Sequence, residues 1–589
     1  MIHATAAPSQ SLTASLVGGL SGLEFTPGSN RSDDLSTADW RFLLPRLRFG
    51  TVLFLGVPIP STVAALAASA HRVIVMADDP LLLRDVSDGA RMRGVGNVET
   101  LCAQSRLPLQ FADGAVDLLV PWGRRMTARL IEDAAFAEEA ARVLSPDGVI
   151  YMEVHARRDH AHLRSWRRRL SASGLGAQET YWLLPRSPEG IRLATPLGEH
   201  ASVQHAFDHV LHGSSRRARL LRQAGRAAAR TGLYSWLLAD RAMVIRRTPS
   251  NGAPSDEANG PSRYLASLGR DAGVPLERMR PAFFARGAYD SNKVAFFLFE
   301  DGRVAPTMLV KMTRSARYNH RLEAEFLALT RVKERSLAPD GTYPEALFLS
   351  RHDNLAVLAQ RVVHGDPFRT RTRGDHDCPL ARAAIAWIHE LGVRSAEYSE
   401  AENALSGTLS ALMERFEALY ALTDAEQRFL RERLASVTTN ERRIPTVFQH
   451  GDAGTWNVLV TRDDRVAFLD WEIGTTRGIP LWDLLDFLRS FGSWSARVRG
   501  QTDMTRAYVE HFGAPSPLAR VQAEAVRTYC NEVGLPRTSI EGLFFSCWMQ
   551  RAVREAAWTS RPLDEGTYVN LVRACIRHRD AEGFRWLFD

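Results

Sequence analysis

Lysine is almost missing from this 589-residue chain, standing only at Lys293, Lys311 and Lys333 among 74 basic residues. Arginine supplies the rest. Its planar fork is not interchangeable with a compact ammonium, so a lone lysine kept in an apolar strand asks for a chemical reason. Cysteine is scarce as well: Cys102, Cys378, Cys530, Cys547 and Cys575 are scattered, with no Cys-x-x-Cys pair. That argues against a zinc site or a disulfide framework and fits a reducing cytoplasm. Long uninterrupted apolar runs are lacking too. Thr51–Ala70 is uncharged, but Gly56, Pro58 and Pro60 break it, so its first part reads as a buried strand and not a transmembrane span. Residues 1–30 lack the basic start and apolar stretch of a signal peptide. They are rich in Ser, Thr, Gly and Ala, and 1–38 is expected to be disordered.

What is present suits a soluble globular protein, with 45% hydrophobic and 24% charged residues. The net charge of +7 is modest for the length, and the one dense basic block is Arg216–Arg230. It reads as a solvated face, with contact to an anionic partner as the sharper alternative; no nucleic-acid partner is expected. The length calls for two or more domains. The segment 251–262, Asn-Gly-Ala-Pro-Ser-Asp-Glu-Ala-Asn-Gly-Pro-Ser, has no apolar periodicity and reads as a linker. It separates an N-terminal domain, 39–250, from a C-terminal one, 263–589.

In the N-terminal domain strand and helix signals alternate: strands at Thr51–Leu55, Arg72–Met76, Val116–Val120 and Val149–Val154, with helices at Ser61–Ala70 and Ile131–Leu144. The pattern predicts an α/β fold with a parallel, doubly wound, Rossmann-like sheet. Ligands of such sheets sit beyond the carboxyl ends of the strands. In the C-terminal domain Asp452 stands in His450-Gly-Asp-Ala-Gly-Thr-Trp-Asn457. Val458–Thr461 and Arg465–Leu469 read as two strands around an Asp463–Asp464 turn, so a hairpin brings Asn457 and Asp470 level at its open end. Phosphoryl transfer needs a carboxylate beside the attacking hydroxyl and oxygen ligands for metal ions.

These residues resemble the aminoglycoside phosphotransferase and choline kinase superfamily, whose pattern is His-Gly-Asp-x-x-x-x-Asn, then an apolar strand and Asp-Trp/Phe-Glu. The resemblance implies a protein-kinase-like bilobal α+β fold, ATP and magnesium. Asp452 would accept or orient the hydroxyl proton, while Asn457 and Asp470 would hold magnesium. Lys311, in the strand Thr307–Met312, would bind the α- and β-phosphates and pair with Glu325 of the helix Tyr318–Val332, with Glu323 as rival. The phosphate-covering loop would be 285–292, with Gly287 and Ser291. His450 reads as an anchor of the loop; Asp483 as a brace for it or a helix cap; Glu472 as a neighbour of a second metal or a turn cap. Trp482, Trp494, Trp548 and Trp558 are candidates for stacking on an acceptor, although helix packing is the commoner use of such residues.

The N-terminal domain resembles class I S-adenosylmethionine-dependent methyltransferases over roughly 40–155. Val52-Leu-Phe-Leu-Gly56 matches their first strand and Asp78 or Asp79 their ribose-binding acid; Leu107–Val120 and Arg142–Gly148 match later motifs. One departure stands out. The first loop, Gly56-Val-Pro-Ile-Pro60, keeps one glycine and gains two prolines where the backbone should approach the cofactor. The expected protein is a cytoplasmic ATP- and magnesium-dependent kinase for a hydroxyl of a small molecule or glycan, fused to a methyltransferase-like domain. A bifunctional methyltransferase–kinase acting on a surface glycan or natural product is one alternative, and a scaffolding pseudoenzyme another.

Overall fold

The computed structural model describes residues 35–103, 107–155, 160–184, 191, 193–210, 216–231, 234, 240–248, 261–285, 293–398, 404–557 and 563–589. They fall into two compact units, 29–322 with 347–362, and 323–346 with 363–589. Each has its own hydrophobic core.

In the first unit β1 (Phe49–Leu55), β2 (Ala70–Ala77), β3 (Val98–Cys102), β4 (Val116–Pro121) and β5 (Leu144–His155) pair in parallel, in the order β3-β2-β1-β4-β5. Runs such as Val-Leu-Phe-Leu in β1 and Val-Ile-Val-Met in β2 are buried on both faces, as helix-covered parallel strands must be. This is the start of the doubly wound order, with helices Pro60–Ala67 and Pro80–Met92 as crossovers. The predicted helix Ile131–Leu144 is instead two helices, Arg124–Glu132 and Phe136–Val143, and Leu144 already belongs to β5. Asp133 is responsible: its carboxylate accepts from the Ala135 amide at 2.9 Å, a local bond that competes with helix continuation.

The sheet continues well past β5. Strand β8 (Asp240–Arg247) runs antiparallel to β5, β6 (Leu175–Leu184) pairs with β8, and β7 (Leu193–Pro196) with β6. Then β7 pairs with β9 (Met279–Phe284), through Leu193 opposite Phe284. Beyond β9 come β10 (Lys293–Glu300), β11 (Met308–Thr313), β13 (Leu355–Arg361) and β12 (Ala346–His352), completing a 13-stranded sheet. The expected boundary at 251–262 therefore lies inside this unit, and its last residues already open the helix Pro261–Asp271. Side chains reinforce the junction. Tyr264 Oη donates to the Phe42 carbonyl at 2.8 Å, and the Arg314 guanidinium bonds Asp39 through Nε at 2.8 Å and Nη2 at 2.5 Å.

The second unit is mainly helical. Pro379–Ser395, Trp482–Val498, Pro517–Val533 and Ile540–Ala556 pack around Trp471, Phe487 and Trp548. Strands Val458–Val460 and Val466–Phe468 form the predicted hairpin, and Val447–Gln449 pairs with Thr475–Gly478. No helix of the described residues is long and apolar enough to cross a membrane.

Candidate active site

Hairpin register assembles the centre of the second unit. Val458 faces Phe468, and the Leu469 amide donates to the Asn457 carbonyl at 2.8 Å, so Asn457 and Asp470 leave the same end of the ladder. Asn457 Nδ2 donates to the Asp452 carboxylate at 2.8 Å and to its carbonyl at 3.0 Å. That leaves the amide oxygen, a hard donor at the same end of the ladder as Asp470, for a cation. Asp470 sits at φ 68, a left-handed conformation that asparagine and aspartate tolerate best and that strain concentrates at functional sites.

The loop Gly451–Trp456 is held from behind. Asp483 is buried, and its two oxygens accept the amides of His450 at 2.6 Å and Gly451 at 2.9 Å. The helix that Asp483 begins receives no side-chain cap at its Leu481 N-cap, so Asp483 braces the loop. Gly451 has φ 79, and a Cβ there would meet the Ile473 carbonyl oxygen at 2.5 Å. His450 is fully buried against Trp471; its Nε2 lies 2.9 Å from the Leu469 carbonyl and its Nδ1 accepts the Asp452 amide at 3.2 Å. This pattern requires the neutral ring with the proton on Nε2. Burial holds the pKa of His450 below the ordinary histidine value, although Asp483, Asp452 and Asp470 pull it up.

A pH prediction follows. Because the folded pKa is depressed, the unfolded chain takes up the proton first. The stability contributed by neutral His450 is complete above a pH of about 6.5 and is lost as pH falls. Melting temperature should drop between roughly pH 7 and 5, and by less in His450→Gln. Identical pH profiles of the two proteins would refute the assignment.

Asp452 carries a dense set of donors. Oδ2 accepts from Trp456 Nε1 at 3.0 Å as well as from Asn457, and Oδ1 accepts from Arg551 Nη1 at 3.0 Å. Burial alone would raise the pKa of Asp452, but the Arg551 and Arg554 guanidiniums and the Trp456 N–H outweigh it and hold the carboxyl below its usual range. Such a group stays ionised and orients a hydroxyl more readily than it stores a proton.

The sequence reading missed this arginine set. Arg551 also bonds the fully buried Asp486 at 2.6 Å and the Gly451 carbonyl, which Arg554 reaches as well at 3.0 Å. No local spacing joins helix 540–556 to the loop at 451, so no motif could have shown it; the nearest signal was Asp486, one turn beyond Asp483. Of the tryptophans singled out, Trp548 is core, Trp482 bonds Ser546 at 3.1 Å, Trp494 bonds Thr372 at 3.1 Å, and Trp558 lies outside the described residues. Trp456, exposed at 42%, was not among them.

Lys311 belongs to the other unit, on β11 between Ala295 of β10 and Leu358 of β13, and is 6% exposed. Of the two acids on the helix Asn319–Glu334, Glu325 is fully buried and Glu323 partly so. Gly287 and Ser291 lie outside the described residues. In the parallel sheet, Gly56 ends β1 at φ 108, and a Cβ there would meet the Trp122 carbonyl oxygen at 2.7 Å. Asp79 is spent as N-cap of the helix Pro80–Met92, accepting the Leu81 and Leu82 amides, whereas Asp78 is exposed beyond β2. Glu472 is partly buried next to Trp471.

Among solved structures the chain is similar to a TehB-like SAM-dependent methyltransferase from Corynebacterium glutamicum, at 15% identity over 38% of this chain and 90% of that one, TM-score 0.22. It is also similar to a SAM dependent methyltransferase from Aquifex aeolicus, at 17% identity over 27% and 92%, TM-score 0.21. A third is the [4+2]-cyclase SpnF, at 16% identity over 40% and 93%, TM-score 0.24. These likenesses concern fold alone. No curated protein matches the chain. Residues 290–518 match the family described as "Phosphotransferase enzyme family", and the hairpin, its aspartates and the buried Lys311 all fall within the matched segment.

Proposed function

We propose that residues 263–589 transfer the γ-phosphoryl group of ATP to a hydroxyl of a small molecule or glycan in the cytoplasm. The observation that carries this reading is the joint placement of Asp452, Asn457 and Asp470 by one hairpin and one braced loop. Asp452 receives the acceptor hydroxyl and orients its proton. The Asn457 amide oxygen and the Asp470 carboxylate are hard oxygen donors suited to magnesium, which when bound would neutralise phosphate charge. Lys311 is proposed to engage the nucleotide phosphates.

The test is ADP release from magnesium–ATP over a panel of hydroxyl acceptors. Asp470→Ala should lower kcat by roughly 100-fold or more. Turnover that is equal in this variant and equal after chelation of magnesium would overturn the reading.

The N-terminal domain, proposed to span 39–250 with 251–262 as linker, shares an α/β fold with methyltransferases, but its first loop does not suit S-adenosylmethionine. Pro58 and Pro60 offer no amide N–H, Pro60 is the first residue of a helix, and the Gly56 amide already donates to the Met76 carbonyl at 2.9 Å. Asp79 is taken up as a helix N-cap, which leaves the ribose role to Asp78 in name only, and this loop supports no methyl transfer. Calorimetry should show no S-adenosylmethionine binding at millimolar ligand; saturable binding that Asp78→Ala abolishes would restore a methyltransferase reading.

A further inference from the structure

The ground beside Asp452 is built from arginine. Arg551 bonds the carboxylate itself and Arg554 lies over the same loop. On the other side Trp456, whose indole N–H holds Asp452, carries two more: the Arg369 guanidinium stands 5.5 Å from its ring centroid and that of Arg489 stands 6.0 Å away. Arg369 is also 5.6 Å from the Trp494 ring and Arg489 4.8 Å from the Tyr568 ring. Their polar bonds are few. Arg369 Nε donates to Thr455 Oγ1 at 3.0 Å, while Arg489 is 3.6 Å from Asp486 and its buried Nε has no hydrogen-bond partner.

The charges do not balance. Against Arg369, Arg489, Arg551 and Arg554 the guanidiniums find Asp452 and Asp486, and Asp483 spends both oxygens on backbone amides. Arg489 and Arg551 are held up by Asp486 and Tyr568, with Asp452 also acting on Arg551, but the other two cations are crowded. Burial, then Arg551, bring Arg554 down to about 10, and burial followed by Arg497 and Arg489 lowers Arg369. Holding partly buried guanidiniums together is unfavourable unless an anion joins them, and planar forks are matched to carboxylate and phosphate oxygens.

We infer that this arginine–aromatic cluster is the acceptor subsite, and that the hydroxyl acceptor carries a phosphate or carboxylate group. This rests on the phosphotransferase reading for the role of Asp452. A polycationic acceptor is excluded by the same charges. The indole of Trp456 spans the distance between the anion held by Arg369 and Arg489 and the hydroxyl presented to Asp452, so anion and reacting hydroxyl occupy different ends of one molecule.

The test has two arms. In the first, tryptophan fluorescence of the full chain is titrated, without nucleotide and at constant ionic strength, with glucose 6-phosphate, glucuronate, glucose and kanamycin. One or both anions should bind saturably, and which does so separates phosphate from carboxylate. Arg369→Gln and Arg489→Gln should weaken that binding by roughly tenfold or more, with part recovered in Arg489→Lys; melting temperatures establish that each variant is folded. Response to neither anion, equal response to glucose, preference for kanamycin, or unchanged affinity in both glutamine variants would overturn the inference.

In the second arm, turnover of magnesium–ATP with the bound anion should show a raised acceptor KM in Arg489→Gln and a KM for ATP moved by less than about twofold. A rise confined to the KM for ATP would assign the arginines to the nucleotide and also overturn the inference. Anion binding without any ATP turnover would instead sink the kinase reading and leave the anion subsite standing.

Discussion

Asp452→Asn should abolish most phosphoryl transfer, lowering kcat by roughly 10²- to 10⁴-fold, the range expected when a positioned acid–base group is lost. The shape of the side chain is kept, but the chemistry is reversed on one of its two oxygens. Oδ1 faces Arg551 Nη1 at 3.0 Å, and Oδ2 faces Trp456 Nε1 and Asn457 Nδ2. An amide has one acceptor atom, so whichever way it turns its NH2 meets a donor. The acceptor hydroxyl loses its orienting carboxylate, and Arg551 loses one of its two anionic partners. The second partner, Asp486, remains, which is why the variant should fold. The measurement is single-turnover transfer to the acceptor together with KM for ATP, which should move little because nucleotide contacts are proposed elsewhere. Retention of more than about a tenth of the rate would remove Asp452 from the chemistry.

What could be read from the sequence and what could not divide by the range of the interaction. The hairpin at 458–468 was legible because its strands are adjacent and its turn, Asp463–Asp464, is local; the register then placed Asn457 beside Asp470. The parallel strands were legible because burial on both faces forces continuous apolar runs. The helix over 131–144 was misjudged because apolar periodicity ran through a break made by one aspartate bond. The join of β7 to β9 was not legible at all. It rests on four residues, Leu193–Pro196, pairing with a strand some 90 positions later, and edge pairing leaves no local pattern. The same holds for the arginine cluster beside Asp452, whose members come from 369, 489, 551 and 554. An arginine-rich composition hid them, since any one of them reads as an ordinary surface cation.

The junction that the sequence did not show makes the second large prediction, on stability. Arg314 ends the strand region of β11, and Asp39 sits on the short helical segment Leu35–Leu43. Their side chains are 5% and 1% exposed. Arg41, also buried, donates to the Arg314 carbonyl at 2.8 Å and adds a second positive charge beside Asp39; burial brings its own pKa down to about 10. Desolvating such a pair is costly, and its attraction offsets that cost only while both members are present. Arg314→Met should therefore destabilise the unit by about 3–5 kcal/mol, because it leaves the buried Asp39 carboxylate without the guanidinium that bonds both its oxygens. Replacing both members, as Asp39→Leu with Arg314→Met, should recover most of the loss, since an apolar pair of similar volume often does as well as a buried ion pair. Urea unfolding midpoints of the two single variants and the double variant close the cycle. If the single variant lost less than about 1 kcal/mol, the pair would have to be hydrated like a surface bridge. If the double variant were as unstable as Arg314→Met, the damage would lie in packing and not in the unpaired charge. The predicted recovery separates those two causes: it would assign the damage in Arg314→Met to an unpaired buried charge and not to lost packing.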